Sequence, residues 1–178
     1  MLIITVSMLY STVKLGISPM PSSNKANIAM MQLIDETEIE TKAGPIIDLG
    51  SGWGNFVIAI AKRYPHRKIV GYELSYLPWL TSSLVKKLLG LDNLTLHRQD
   101  FYQAELPAAS VVVCYLFPQA MEKISNKLRL KPSGVHFLIS NNFALPSWQT
   151  CKIIKVNDFY KSPIYLYKIS NKSEDKYH

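Results

Sequence analysis

The nine residues Ile46-Ile47-Asp48-Leu49-Gly50-Ser51-Gly52-Trp53-Gly54 constrain the fold of this chain more than any other stretch. An apolar run leads directly into three glycines at alternate positions, and a helical pattern from Asn55 to Tyr64 follows at once. A strand-to-helix turn this tight needs residues without side chains, so that the backbone can approach a ligand. It also leaves the first N–H groups of the following helix unpaired and facing the same point. Taken alone, the run serves equally well as a plain connecting turn, so its meaning depends on what surrounds it.

The surroundings are a repeated alternation of apolar runs and helical patterns, the signature of a parallel sheet with helices on both faces. Strands are predicted at Pro45 to Leu49, Lys68 to Glu73, Leu94 to Arg98, Ser110 to Tyr115 and Val135 to Ser140. Cys151 to Val156 and Ile164 to Ile169 complete seven, and the polar turn between them makes this last pair an antiparallel hairpin on the sheet edge. Helices are predicted at Asn24 to Leu33, at Asn55 to Tyr64 with Phe56, Ala59 and Ile60 on one side, and at Pro118 to Leu130. Another has Pro78 in its first turn and runs to about Leu89, where Gly90 stops it. The expected fold is α/β: a Rossmann-like, seven-stranded, mostly parallel sheet with a C-terminal antiparallel hairpin. With 178 residues, 48% of them hydrophobic, one core is affordable. The expected organisation is an N-terminal apolar helix and lid segment over 1–44, the α/β domain over 45–170 and a polar tail over 171–178.

Acids at the strand ends say what the glycine loop is for. Glu73 closes the second strand about 20 residues after the glycines, the place from which a carboxylate accepts hydrogen bonds from both hydroxyls of a ribose. Asp100, just past the third strand, is suitably placed for an adenine amino group. Each acid singly is an ordinary solvated strand-end residue, but Asp48, Glu73 and Asp100 converge on one edge of the sheet. Such an edge fits an adenine nucleoside cofactor. A dinucleotide site prefers G-x-G-x-x-G, with its last glycine inside the helix; this chain has G-x-G-x-G followed by Asn55 and Phe56. The spacing and the final hairpin favour S-adenosylmethionine over a nicotinamide dinucleotide.

The remaining composition mostly excludes. A net charge of +7 would suit an anionic partner, yet the lysines and arginines are scattered. The groups Lys62, Arg63, Arg67, Lys68 and Lys123, Lys127, Arg129, Lys131 read as solvated faces. They lack the interleaved aromatics of a base-stacking groove, so nucleic acid is not the expected partner. Cys114 and Cys151 sit in apolar, strand-like contexts and read as buried thiols in a reducing compartment. His66, His97, His136 and His178 are dispersed, and no metal site is expected. Met1 to Val13 is apolar but too short to span a bilayer and lacks the flanks of a signal peptide. It reads as a helix packed on the domain, with a helix lying in a membrane interface as the alternative. The expected location is cytoplasmic, peripheral to the inner membrane if residues 1–13 meet a membrane surface.

Several segments together resemble the small seven-strand protein-lysine methyltransferases of mitochondria, which act on the ATP synthase c-subunit and the adenine nucleotide translocase, and their bacterial and archaeal relatives. These segments are Gly16-Ile17-Ser18-Pro19-Met20-Pro21-Ser22-Ser23, Asp48-Leu49-Gly50-Ser51-Gly52, Gly71-Tyr72-Glu73-Leu74, Tyr115-Leu116-Phe117-Pro118, Lys127-Leu128 leading to Lys131-Pro132-Ser133-Gly134, and Phe143-Ala144-Leu145-Pro146-Ser147-Trp148. The glycine loop is common to a whole superfamily; the Tyr-Leu-Phe-Pro and Leu-Pro-Ser-Trp segments are far more particular. The resemblance implies cofactor contacts at Asp48, Gly50, Gly52, Glu73 and Asp100, to which the loop adds Ser51 and Gly54, and a substrate-facing Tyr115. It also implies a lid at Pro21, Ser22 and Ser23, whose hydroxyls would meet the cofactor carboxylate, although an N-cap for the helix near Asn24 explains the same serines. Trp53, Gly54 and Asn55, and the pair Asn141-Asn142, depart from the family pattern and bear on the substrate more than on the cofactor.

Methyl transfer from a sulfonium is an in-line displacement by a neutral nucleophile, so alignment is the main requirement. The expected roles are Tyr115 as hydrogen-bond partner of the incoming amine, and Pro118 and Trp148 as substrate-binding residues. Trp148 would wall the channel or hold a lysine stem by a cation–π contact. The plainer alternatives are a core aromatic for Tyr115 and a turn-packing residue for Trp148. The expected partner is a protein bearing a target lysine, with a membrane protein favoured by the apolar N-terminus. The alternative functions are a small-molecule or RNA methyltransferase and a cofactor-binding protein without turnover. Against a base-modifying enzyme, Tyr115-Leu116-Phe117-Pro118 lacks the amide or acid that grips a planar exocyclic amine.

Overall fold

Strand β1 (Ile46–Leu49) is apolar at three of its four positions and buried at all four, as a strand covered on both faces must be. In this computed structural model, which describes residues 22–37, 44–109, 111–130, 134–158 and 161–169, β1 pairs in parallel with β2 (Ile69–Glu73) on one side and β4 (Val111–Cys114) on the other. The seven-stranded sheet has the order β3-β2-β1-β4-β5-β7-β6, with β3 at Leu94–Arg98, β5 at Phe137–Asn141, β6 at Lys152–Lys155 and β7 at Pro163–Lys168. The chain builds outward from β1 to β3, then returns to start again at β4. A crevice therefore opens where β1 and β4 diverge, at their carboxyl ends.

Alternation sorts the side chains into two layers. Ile46, Ile69, Val111, Val113 and Ile139 face helices α1 (Asn24–Glu36) and α2 (Asn55–Arg63), meeting Met30, Leu33 and Ile34 of the first and Val57 and Ile60 of the second. On the other face Ile47, Leu49, Val112, Cys114 and Leu138 meet Met121, Ile124 and Leu128 of α4 (Pro118–Leu130). The α2 face differs in detail from expectation: Val57 and Ala61 join Phe56 and Ile60 in the core, while Ala59 is only half-buried. α1 runs to Glu36 rather than Leu33, and the Thr37 hydroxyl closes it by donating to the Ile34 carbonyl at 2.7 Å.

The C-terminal hairpin forms as expected and is antiparallel, with β7 inserted beside β5 and β6 left as the sheet's outer edge. That edge corrects the reading of Cys151. It precedes β6 and is exposed, because nothing lies outside an edge strand to cover it, whereas Cys114 is buried, with its thiol pKa pushed up to about 12 by loss of water. The apolar helix expected over residues 1–13, most of the connection into β1 and the polar tail lie outside the described residues.

Helix α3 (Tyr76–Leu88) packs close to the glycine loop because two positions lack bulk. Gly54 has φ of +87°, and a Cβ placed on it would stand 2.7 Å from the Cβ of Ser82, which is fully buried. Gly54→Ala should therefore suffer both left-handed backbone strain and a side-chain clash. The expected loss is about 3 kcal/mol, read as a lower urea midpoint with an unchanged denaturant slope.

Candidate functional site

The site grows from the end of β1. Asp48 lies on the face of the sheet shared with Ile46, where the helical layer excludes water, and is only 6% exposed. Burial, and secondarily the charge of Glu73, raises its pKa from 3.8 to about 7. Among the described residues no lysine or arginine pairs with it. An ionised Asp48 is thus short of a cation, and a cation brought by a ligand would stabilise its charged form.

The loop that follows is tied to β2. The N–H groups of Gly50 and Ser51 both donate to the Tyr72 carbonyl at 2.9 Å. The Gly52 N–H donates to Oε2 of Glu73 at 2.9 Å, and the Ser75 N–H donates to Oε1 at 2.7 Å. Glu73 is therefore held by one backbone donor on each oxygen, leaving further lone pairs to accept two hydroxyls. Gly50, Gly52 and Gly54 all have positive φ, at +79°, +54° and +87°. At Gly52 an added Cβ would meet nothing closer than the Gly50 carbonyl oxygen at 3.9 Å, so this turn presents bare backbone to open space. Ser51 Oγ is buried without a partner beneath it.

Asp100 is fixed in a turn after β3: its Oδ1 accepts from the Tyr102 N–H at 2.9 Å, and its carbonyl accepts from Gln103 and Ala104 at 3.1 Å each. Lys127 of α4 locks that turn from below. Its ammonium donates to the carbonyls of Phe101 at 2.7 Å, Tyr102 at 2.9 Å and Ala104 at 2.5 Å. This corrects the placement of Lys127 on a solvated face. It sits half-buried between Ile124 and Leu128, and its position three residues after a core isoleucine was the available signal.

At the β4 and β5 ends, Tyr115 is half-buried and stacked on Phe143, with ring centroids 6.2 Å apart. Asn141, 3% exposed and on the same face as Ile139 and so as Asp48, donates through Nδ2 to Ser22 Oγ at 3.0 Å, while its Oδ1 has no partner. The N-cap role falls to Ser23. Ser23 caps α1 by accepting from the Ala26 N–H at 3.1 Å, and Ser22 is drawn to the sheet edge by Asn141. Pro118 is the exposed first residue of α4. Trp148 is turned elsewhere: its indole N–H donates to Ser125 Oγ at 3.1 Å, and that hydroxyl donates to the Pro146 carbonyl at 2.9 Å. This pins the Leu-Pro-Ser-Trp turn onto α4, the turn-packing role, on the face away from Asp48. The edge thus gathers Asp48, Gly50, Ser51, Gly52, Gly54, Glu73, Tyr115 and Ser22, with Asp100 on the adjoining loop. Asn141 joins them, and Lys127 supports the Asp100 turn; the sequence by itself assigns neither a contact role.

Two outcomes follow from these contacts. Folded Asp48 keeps its proton to about pH 7, whereas the unfolded chain releases it near 3.8, so this group favours the native state most below 3.8 and progressively less as pH rises to about 7. The loss sums to about 4 kcal/mol over that window. Asp48→Asn should therefore stabilise the ligand-free protein more at about pH 8 than at about pH 5, as read by urea unfolding. Lys127→Met should cost about 2–3 kcal/mol, since three carbonyls lose a charged donor, and hydrogen exchange should accelerate first at Gln103 and Ala104.

Residues 48–152 match the family model described as the ANTKMT methyltransferase domain. The lysine N-methyltransferase of Mus musculus named for the ATP synthase c-subunit is 31% identical over 109 residues, which amount to 60% of this chain and 43% of that protein. A protein-lysine N-methyltransferase of Saccharolobus islandicus (strain REY15A) is 24% identical over 131 residues, covering 70% of this chain and 78% of that one. The chain spans about half the length of the vertebrate relatives it matches. Among solved structures, an RNA methyltransferase from Salinibacter ruber in complex with S-adenosyl-L-homocysteine superposes with a TM-score of 0.73 at 22% identity, over 88% of this chain and 97% of that one. Magnesium protoporphyrin IX methyltransferase from Synechocystis PCC 6803, with bound SAM, does so with a TM-score of 0.61 at 16% identity, over 85% and 86%. At these identities the likeness is one of fold: the Rossmann-like fold of S-adenosylmethionine-dependent methyltransferases. With more than half of its length matched by the family model, the protein belongs to the ANTKMT methyltransferase domain family.

Proposed function

We propose that this chain transfers a methyl group from S-adenosylmethionine to the side-chain amine of a lysine in a protein. The observation that carries the reading is the buried Asp48, without a cation among the described residues, beside a glycine turn that leaves Gly52 bare and Glu73 pinned. That arrangement suits a ligand with an ammonium group, a ribose and little tolerance for crowding. When bound, S-adenosylmethionine supplies an electrophilic methyl group on a sulfonium. Asp48 would hold the ammonium end, Glu73 would accept from the ribose hydroxyls, and Asp100, in the turn that Lys127 fastens, would receive the adenine amino group.

The amine must arrive neutral, since only its lone pair attacks. Desolvation against the Tyr115 and Phe143 rings disfavours the charged form and assists loss of the proton to water. The Tyr115 hydroxyl holds the amine in line, and the unpartnered Asn141 Oδ1 offers an acceptor for one of its N–H bonds. Alignment of this kind supplies most of what such a displacement needs. The names of the relatives, which give the ATP synthase c-subunit in one case and protein lysine in the other, support lysine as the acceptor. A membrane-protein substrate, and a cytoplasmic site at the inner membrane, are the companion reading. That part rests on the apolar segment 1–13.

Calorimetric titration of the full chain with S-adenosylmethionine and S-adenosylhomocysteine tests the site. The wild type should bind in the micromolar range and Glu73→Ala at least about tenfold more weakly, the loss of one charge-assisted contact. Mass spectrometry should then find methyllysine in a lysine-bearing protein incubated with enzyme and S-adenosylmethionine. Folded wild type that binds neither compound would remove the enzyme reading.

A further inference from the structure

Helix α3 buries its small and polar side and shows its leucines to water. Only Pro78 and Ser82 are buried, because the close approach to Gly54 leaves no room for a larger residue at 82. Tyr76, Leu80, Leu84 and Leu88 follow one another at four-residue spacing and are 55%, 43%, 57% and 76% exposed. Leu74 before the helix and Leu89 after it, also exposed, lengthen the row. The row runs about 18 Å along the helix. A single exposed leucine is ordinary, but a contiguous line of them marks a docking surface.

Charge identifies what docks. The Arg98 guanidinium lies over the Tyr76 ring, 5.5 Å from its centroid, at one end of the row. At the other end Lys86 and Lys87, with Ser83, Gly90 and Asp92, line a cleft of about 370 Å³. Cationic side chains beside an aromatic and a line of leucines are the composition of a helix that lies in a bilayer interface. A second copy of the chain would set one basic face against another, whereas an anionic lipid surface complements both the leucines and the lysines.

We propose that α3 is a peripheral membrane-docking helix. Tyr76, Leu80, Leu84 and Leu88 enter the interfacial layer of a bilayer, and the phosphate of an anionic phospholipid seats at Lys86 and Lys87. Because α3 begins three residues after Glu73, docking holds the carboxyl edge of the sheet close to the lipid surface. The proposal rests on the residues of α3 and its neighbours alone and stands independently of the methyl-transfer reading.

Flotation of the full chain with vesicles tests it, using phosphatidylcholine alone and an equal mixture of phosphatidylcholine and phosphatidylglycerol. The wild type should float with the anionic vesicles and about tenfold less with the neutral ones. The triple variant Leu80→Ser, Leu84→Ser, Leu88→Ser and the double variant Lys86→Glu, Lys87→Glu should each lose binding by about tenfold or more, with circular dichroism and melting unchanged. If the triple variant melts early, the single variants Leu84→Ser and Leu88→Ser, at the two most exposed leucines of the row, replace it with a smaller loss in the same direction. Wild type that does not float, or leucine variants that float as the wild type does, would overturn the assignment and leave residues 1–13 or bulk charge responsible. A wild-type dimer that the leucine changes dissociate, without an effect on flotation, would make the face a contact between copies instead.

Discussion

Three backbone donors of the glycine loop, Gly50 and Ser51 to the Tyr72 carbonyl and Gly52 to the Glu73 carboxylate, join the end of β1 to the end of β2. The geometry of the site depends on this junction. It fixes the turn with three left-handed glycines, aims Glu73 along the sheet edge, and starts α2 at a defined point. It also brings Gly54 against Ser82, which sets the position of α3 and so decides that α3 turns its leucines outward. A local requirement for bare backbone thereby reaches a surface on the outside of the molecule.

The same edge concentrates features that are unfavourable for folding. Among the described residues Asp48 is buried without a cation, and Ser51 Oγ, Asn141 Oδ1 and the Tyr102 hydroxyl are buried without hydrogen-bond partners. Buried polar groups are ordinarily satisfied, and a polar ligand at this edge would relieve these three, which follow or end β1, β3 and β5. Rigid surroundings make the arrangement tolerable. Lys127 clamps the Asp100 turn, the Tyr167 hydroxyl accepts from the Leu145 N–H at 2.8 Å, and the sheet beneath is buried on both faces.

Most of this architecture was legible along the chain. Buried parallel strands are short apolar runs, helices carry a 3.6-residue period, and the tight turn between them demands glycine; all three are local demands that residue type alone meets. Asp48, Glu73 and Asp100 could be assembled on one edge because parallel topology carries every such strand end to the same side. Cys151, Lys127 and Trp148 were misplaced or left open for a different reason. Whether a cysteine beside a strand is covered depends on which strand ends the sheet, and whether a lysine is solvated depends on carbonyls from a loop 23 to 26 residues away in sequence. Trp148 found its partner in Ser125 on another element.

By itself, then, the sequence determined the succession of strands and helices, the glycine turn and the residues whose chemistry fits an adenosyl cofactor, since these follow from periodicity and from what each side chain permits locally. Tertiary structure decided the burial that raises the pKa of Asp48, the amide contact that draws Ser22 to Asn141, the clamp at Lys127 and the outward face of α3. Each of these is a meeting of side chains distant along the chain, and its energy depends on how much water the assembled layers exclude, a quantity no stretch of sequence carries alone.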